Sequence, residues 1–313
     1  MTSIGSPSRP RQPPASMAEA FMKASVDPRV TVYPGALKIR KAEKLTPDQR
    51  AVEARFAAQI EADPEYFFSK YLADYGEILN TDNARELSAE YNKSHRSRAE
   101  HAASVQEPAG AIVKELWKRL LQQDDPKGNN AVLFLAGGGG SGKTRATESP
   151  GVKEFKDEAQ IIYDTTMANT SSSISKVEEA LDAGKSVAVL YVHRPVELAV
   201  RGVIERVVGE GRVVPAEVLA HDHFYAQETF LELADRYQDE AGVLLVVLDN
   251  SKDRLPAEKT SIDFIKQNRY DSVAGVQRRI EEVIDDEYKR RKGTKSALPD
   301  YAYQALRGKA VDR

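Results

Sequence analysis

The chain contains no cysteine, which excludes disulfides, thiolate metal sites and cysteine nucleophiles. No apolar run approaches the ~20 residues that a membrane-spanning helix needs, so no membrane partner is expected. There is no strong charge excess either: 45 basic against 48 acidic residues leave a net charge of -3. That balance gives no general attraction to nucleic acid or to an anionic membrane surface, and a polynucleotide substrate is disfavoured. The opening stretch MTSIGSPSRPRQPPAS has no apolar core of the kind a secretory signal carries. Its Ser/Pro/Arg composition cannot bury enough surface to fold alone. Residues 1–45 therefore read as a disordered or loosely docked tail, with VTVYPGALKI resting on the main body. What remains is ordinary for a soluble globular protein, with 41% hydrophobic and 30% charged residues over a length of 313, enough to bury a real core.

The most informative stretch is Ala131 to Thr144, AVLFLAGGGGSGKT. An apolar run of strand type leads into Gly137, Gly138, Gly139, Gly140, Ser141, Gly142, Lys143 and Thr144, which fit G-x-x-x-x-G-K-T, the P-loop. Glycines let a backbone wrap closely round an anionic phosphate and turn several N–H groups inward. Lys143 then reaches the terminal phosphates of ATP or GTP and Thr144 holds Mg²⁺. A flexible glycine linker is the plain alternative, but a strand before and a helix-capable TRATES after supply the context the motif requires. Pro150 and Gly151 should end that helix within about two turns.

Upstream, T-P-D-Q at Thr46 offers a hydroxyl N-cap, a proline at the first helical position and Gln49 for a capping box. That helix runs to about Ala62, and Asp63-Pro64-Glu65 starts a second that Gly76 ends. In EILNTDNARELSAEY a short strand signal at Ile78 and Leu79 runs into Asn80, Thr81 and Asp82. Polar residues at a strand's carboxyl end sit where ligands bind in α/β proteins. Thr81 and Asp82 are thus site candidates, although either one could equally cap the helix that follows. The run from Ser94 to Gln123 is helical with an interruption near Pro108, beside Glu107. Beyond the P-loop, strands at 161–164, 186–193 and 242–250 alternate with helices, the last of them a charged helix ending in KRRK. No internal repeat occurs. The expected fold is a P-loop NTPase/kinase three-layer α/β/α arrangement with a mostly parallel sheet and a helical N-terminal extension.

From Ile161 to about Asn250 the sequence resembles the zeta toxin family of P-loop kinases. Y-D-T-T (Tyr163 to Thr166) resembles that family's strand-end acid motif, G-V-I-E-R (Gly202 to Arg206) its helix with a catalytic arginine, and G-R-V-V-P (Gly211 to Pro215) its second arginine. The family's catalytic aspartate and a helical substrate-binding insertion normally follow the P-loop. Here only residues 145 to 161 separate Thr144 from the next strand. A similar piece, ILNTDNARELSAEY with the helices to KELWKRLL, comes earlier, which implies a circular permutation. The organisation implied is a single kinase domain over 46–295, with 76–125 as permuted base strand and substrate segment and 131–250 as nucleotide-binding core, followed by a C-terminal tail at 296–313.

By this resemblance Asp82, Lys143, Arg206 and Arg212 are catalytic, Asp82 accepting the proton of a sugar hydroxyl. Thr81, Asp82, Glu107, Asp164 and Thr166 contact the acceptor, and Asp164 joins Thr144 at Mg²⁺. Read without it, Arg206 and Arg212 are surface partners of Glu205 and Glu210, while Asp164 and Thr166 cap the next helix. The implied activity is phosphorylation of the 3′-hydroxyl of UDP-N-acetylglucosamine. Another nucleotide acceptor such as NAD, or a non-catalytic ATP-binding switch, are the alternatives. The resemblance further implies an antitoxin or inhibitor protein as partner, and either a cytoplasmic location or delivery into another cell as an effector, which the Ser/Pro-rich leader suits. Three features are read as structural: His221 and His223, two apart on a helix and so a poor metal pair; Asp249, in a strand-end turn; and KRRK, a solvated helix end.

Overall fold

The computed structural model describes residues 37, 39–125, 128–149, 152–252 and 256–309. Most of VTVYPGALKI lies outside these, but Leu37 and Ile39 pack against the core. Helix α1 (Pro47–Ala62) starts on the anticipated capping box, with Thr46 and Gln49 exchanging backbone and side-chain hydrogen bonds. Helix α2 (Pro64–Tyr75) is capped by Asp63 and closed by Gly76. The edge strand β1 (Ile78–Leu79) leads directly into α3 (Thr81–Arg85). The N-cap of α3 is Asn80, whose side chain accepts the Asp82 amide at 2.7 Å, so neither Thr81 nor Asp82 serves as the cap. A 3-10 turn at Tyr91–Lys93 precedes α4 (His95–His101) and α5 (Gln106–Leu121). The interruption anticipated at Pro108 is thus the first turn of α5, where a proline removes no intrahelical hydrogen bond.

The P-loop strand β2 (Ala131–Ala136) is followed by two short helices, α6 (Lys143–Ala146) and α7 (Lys153–Glu158). Then come β3 (Ile161–Asp164), α8 (Thr170–Asp182), β4 (Ser186–His193), α9 (Val196–Glu210), α10 (Ala216–Tyr237) and β5 (Val243–Asp249). A short β6 (Glu258–Thr260) and α11 (Ile262–Gln267) precede α12 (Val273–Arg291) and α13 (Asp300–Leu306). The last helix corrects the expected C-terminal tail: Ala302, Ala305 and Leu306 are buried against α12 and its neighbours.

The sheet order is β1-β3-β2-β4-β5-β6, parallel throughout except for β6. Every residue of β2 and β4 is buried, as a parallel sheet covered on both faces demands. Alternate residues of β2 serve opposite faces. Val132, Phe134 and Ala136 join a large cluster with Trp117 of α5, Val177 of α8 and Phe230 of α10. Leu133 and Leu135 join a smaller one with Ala146 and Val152. The layers are therefore unequal, the second face being covered near β2 and β3 by the short α6 and α7. A third cluster unites α9, α10, α12 and α13 beside the sheet. KRRK is a solvated end at Lys289, Arg290 and Lys292, which are exposed, but Arg291 is buried and pairs with Glu287 and with Glu205 of α9.

Candidate active site

Because five strands run parallel, their carboxyl ends share one edge of the sheet, and the loops there converge on Gly137–Thr144. The path of this loop is dictated by where its carbonyls go. The Gly137 carbonyl accepts from Lys143 Nζ at 3.0 Å, and Gly138's from the Ser141 amide at 3.1 Å. The Gly139 carbonyl accepts from His223 Nε2 at 2.9 Å, Gly140's from Arg194 Nη1 at 3.3 Å, and Ser141's from Asn250 Nδ2 at 2.7 Å. Five successive carbonyls are thus tied back into the protein. Among the described residues, the amides of Gly138, Gly139, Gly140 and Gly142 donate to no protein acceptor. Unpaired backbone N–H groups in a concave loop form a nest for an anion, so the residues fit a bound nucleotide phosphate.

Glycine is required at Gly140 for two reasons: its φ is +77°, and a Cβ would stand 2.2 Å from the Ala199 carbonyl oxygen. The α6 helix spans only Lys143–Ala146, so its dipole adds little and the loop amides dominate. Pro150 and Gly151, expected to stop this helix, lie outside the described residues; it ends before them.

His223 is buried against Gly138 and Gly139. Burial pushes its pKa down to about 4; the Gly139 bond opposes that, and the smaller influences of Lys143 and His193 reinforce it. It is neutral at physiological pH and acts as a strut under the loop. His221 points elsewhere, half exposed beside Asp222 and Tyr225, so the two histidines form no metal pair.

The candidate catalytic side chains meet on the other side of the cleft. Asp82 pairs with Arg85 at 2.9 Å and faces Arg206 at 3.8 Å. Burial alone would push its carboxyl up, but the charges of Arg85, Arg212, Arg206 and Lys143 outweigh that and hold it below the ordinary value. It is therefore firmly ionised. Arg212 is 18% exposed and pairs with Glu86 at 3.3 Å, while both Arg206 and Arg212 contact Glu210. They are not merely surface partners of their own segment, and Glu205 pairs with Arg291 instead.

Asp164 ends β3 beside this group. Its Oδ2 accepts from Asn80 Nδ2 at 2.7 Å, and its buried Oδ1 has no partner. A buried, unpaired carboxylate oxygen at a strand end fits a cation or its water shell. Thr166 lends its carbonyl to the Gly137 amide at 3.2 Å and its hydroxyl to the Ala168 amide. The cap of α8 is Asn169, so neither Asp164 nor Thr166 fills that role. Thr81 stands in the first turn of α3. Glu107 stands apart, with no hydrogen bond or ion pair to another described residue; its neighbour Gln106 is the one that accepts from Arg85.

Sequence reasoning missed Arg85, Arg194, His223 and Asn250. Asn250 and Arg194 each immediately follow a strand, and that position was the available signal. Asp249 is the last residue of β5 rather than part of a turn, paired with His193 and Glu258, and it accepts from the Ser251 amide at 2.9 Å.

No helix among the described residues is long and apolar enough to cross a membrane. Comparison with curated proteins finds no match. Among solved structures, the chain is similar to a crystal structure of AvrRxo1-ORF1:AvrRxo1-ORF2 with sulphate ions, at 12% identity and a TM-score of 0.40 over 90% of this chain and 98% of that one. It is likewise similar to AvrRxo1-ORF1:-ORF2 with ATP, at 13% identity and a TM-score of 0.39 over 88% of this chain and 97% of that one. At those identities and scores nothing about activity follows. The family comparison is more specific, and it begins only after the P-loop: residues 152–260 match the model of the zeta toxin family, so the stretch from the start of α7 to the end of β6 is similar to that family.

Proposed function

We propose that the protein is a kinase that transfers the γ-phosphate of ATP to a sugar hydroxyl of a nucleotide-sugar, the zeta toxin likeness pointing to the 3′-hydroxyl of UDP-N-acetylglucosamine. The observation that carries the reading is the pairing of a loop of unsatisfied amides with an ionised carboxylate across from it, both within the field of Lys143. Phosphoryl transfer asks a protein mainly for positioning and for neutralisation of spread negative charge. The amides of Gly138 to Gly142 and Lys143 hold the phosphates in place. Thr144 and Asp164 would hold Mg²⁺, which supplies neutralisation of charge on the phosphate oxygens. Asp82, kept charged by its arginines, accepts the hydroxyl proton as the acceptor oxygen attacks. Arg206 and Arg212 stand beside Asp82, where charge builds during transfer. GTP serves the same loop chemistry, and Thr81 and Thr166 border the acceptor's path.

A permuted chain order belongs to this reading. It is supported by the edge strand β1, which pairs with β3 although it precedes the P-loop strand in sequence. The family match, starting at residue 152 and leaving out both Asp82 and the loop, is what such an order would produce. The proposed domain then runs from residue 46 through α13, with 76–125 as base strand and substrate segment. A neutralising partner protein and an effector's delivery into another cell remain part of the same proposal.

The test is incubation with ATP, Mg²⁺ and a panel of sugar nucleotides and dinucleotides, NAD included. Transfer to UDP-N-acetylglucosamine is expected, together with its loss by about 10²- to 10⁴-fold in Asp82→Asn at unchanged ATP affinity. Normal turnover by that variant would remove Asp82 from the mechanism and end the permutation argument.

A further inference from the structure

A cavity of about 250 Å³ opens beside the P-loop, between α5, α8 and α10. Its floor is Phe134 and Tyr163, and its walls carry Lys114 from α5, Lys176 from α8 and Asp222 from α10. It adjoins the proposed transfer site. The Thr166 carbonyl on its rim receives the Gly137 amide, and the Asp222 carboxyl senses both Lys143 and Asp82.

Lys176 stands partly buried in this cavity, and Lys114 stands exposed at its edge. Among the described residues, neither Lys114 nor Lys176 has a carboxylate within ion-pair distance, and Lys176 instead sits 5.5 Å over the Tyr163 ring. Glu179, the acid that acts on Lys176, is committed to Trp117 Nε1 at 2.6 Å and to Ser175 at 3.1 Å. Burial lowers the pKa of Lys176, with Lys114 and Lys118 adding to that and Glu179 only partly opposing it. A cation held in such surroundings costs stability unless an anion compensates it. The loop that forms the rim is strained as well: Met167, which is not a glycine, has a φ of 55°. Strain of this kind clusters at ligand sites. Asp222 on the far wall, its carboxyl pushed up to about 6 by burial, is ionised at neutral pH and offsets one of the two lysine charges, so a single positive excess remains.

We infer that this cavity binds a phosphate or diphosphate group of the acceptor, clamped between Lys114 and Lys176. The inference rests on the kinase reading for its biological meaning, but the binding itself does not. The kinase's acceptors are then phosphate esters, and free sugars and nucleosides are poor substrates.

Two arms test it. In the first, the protein saturated with Mg²⁺ and a non-hydrolysable ATP analogue is titrated calorimetrically with inorganic pyrophosphate, alongside the double variant Lys114→Met, Lys176→Met. Methionine keeps the apolar stems, and circular dichroism checks the fold. A saturable event is expected that weakens about tenfold or more in the double variant, as loss of charge-assisted bonds implies, with analogue affinity unchanged. In the second arm, the acceptor KM rises by a similar factor at little change in kcat, the pattern of lost ground-state binding. No saturable event, or equal binding by both proteins, overturns the inference. Absence of transfer to every acceptor, with lysine-dependent pyrophosphate binding intact, would sink the kinase reading and leave the subsite standing. Transfer to neutral and phosphorylated acceptors alike, indifferent to the lysines, would do the reverse.

Discussion

The two sides of the cleft are built by different chemistry. On the nucleotide side the working groups are main-chain amides of one contiguous loop, and the side chains of Arg194, His223 and Asn250 hold its carbonyls away. On the acceptor side the working groups are side chains: Asp82 and Arg85 from α3, and Arg206 and Arg212 from and after α9. A backbone nest is specified by a short run of glycines, because only local conformation is needed. A charge cluster needs residues far apart in the chain to be brought to a few ångströms, which only the finished fold does.

This contrast predicts separable failures. The largest is expected for Lys143→Ala, which touches both sides: turnover should fall by about 10³-fold or more and nucleotide affinity should drop with it. Steady-state kinetics beside a nucleotide titration would reveal whether the two go together; retained ATP affinity would show the amides alone suffice for binding. Arg212→Ala comes next. Its side chain is 18% exposed against 42% for Arg206, so its loss should cost turnover about 10²-fold or more, Arg206→Ala less, and neither should alter ATP binding. The reverse ranking would place the working arginine on α9.

Smaller effects concern stability. The pKa of His223 lies near 4, against an ordinary 6.5. Its neutral form is the one that folds, so its contribution is complete above pH 6.5 and is lost as pH falls through 4, a change of about 3 kcal/mol. His223→Gln, which can still donate to Gly139, should flatten the acid limb of a denaturation-versus-pH curve; an unchanged limb would show that His223 does not control it. Asp222 has the opposite sign. Its pKa rises from 3.8 to about 6, so its stabilising influence holds below 3.8 and is lost as pH climbs through 6. With a side chain 21% exposed, Asp222→Asn should stabilise the protein at pH 7.5 by about 1–2 kcal/mol and leave it unchanged at pH 4. Equal melting shifts at both pH values would dismiss the titration as the cause.

Much of the framework is legible in the sequence because it depends on neighbours. The Thr46–Gln49 capping box, the buried β2 and β4, the P-loop and the truncated helix after it all follow from residues within a few positions of one another. Asp82 is nominated by its strand-end position, yet its surroundings are not: Arg85 was hidden in a short helix, and Arg212 comes from beyond residue 200. Glu107 rests on a weaker signal. A break in a helical pattern marks only a new helix start, and Gln106 rather than Glu107 faces Arg85. Within KRRK only Arg291 departs from the expected solvated end, because α9 covers that one residue. The tie from His223 has no sequence signature at all, because any residue of fitting shape and hydrogen-bonding capacity at that place would serve, and Asn250 is signalled only by its place after a strand.

Arg291 gives the chain's end a mechanical part in this machinery. By gripping Glu205 it fixes the rotation of α9 one residue from Arg206, and Tyr270 adds a second attachment through Gln227 of α10. The family match stops at residue 260, but the molecule does not divide there: a polypeptide cut at that point would keep its phosphate nest and lose the splint that aims its arginine.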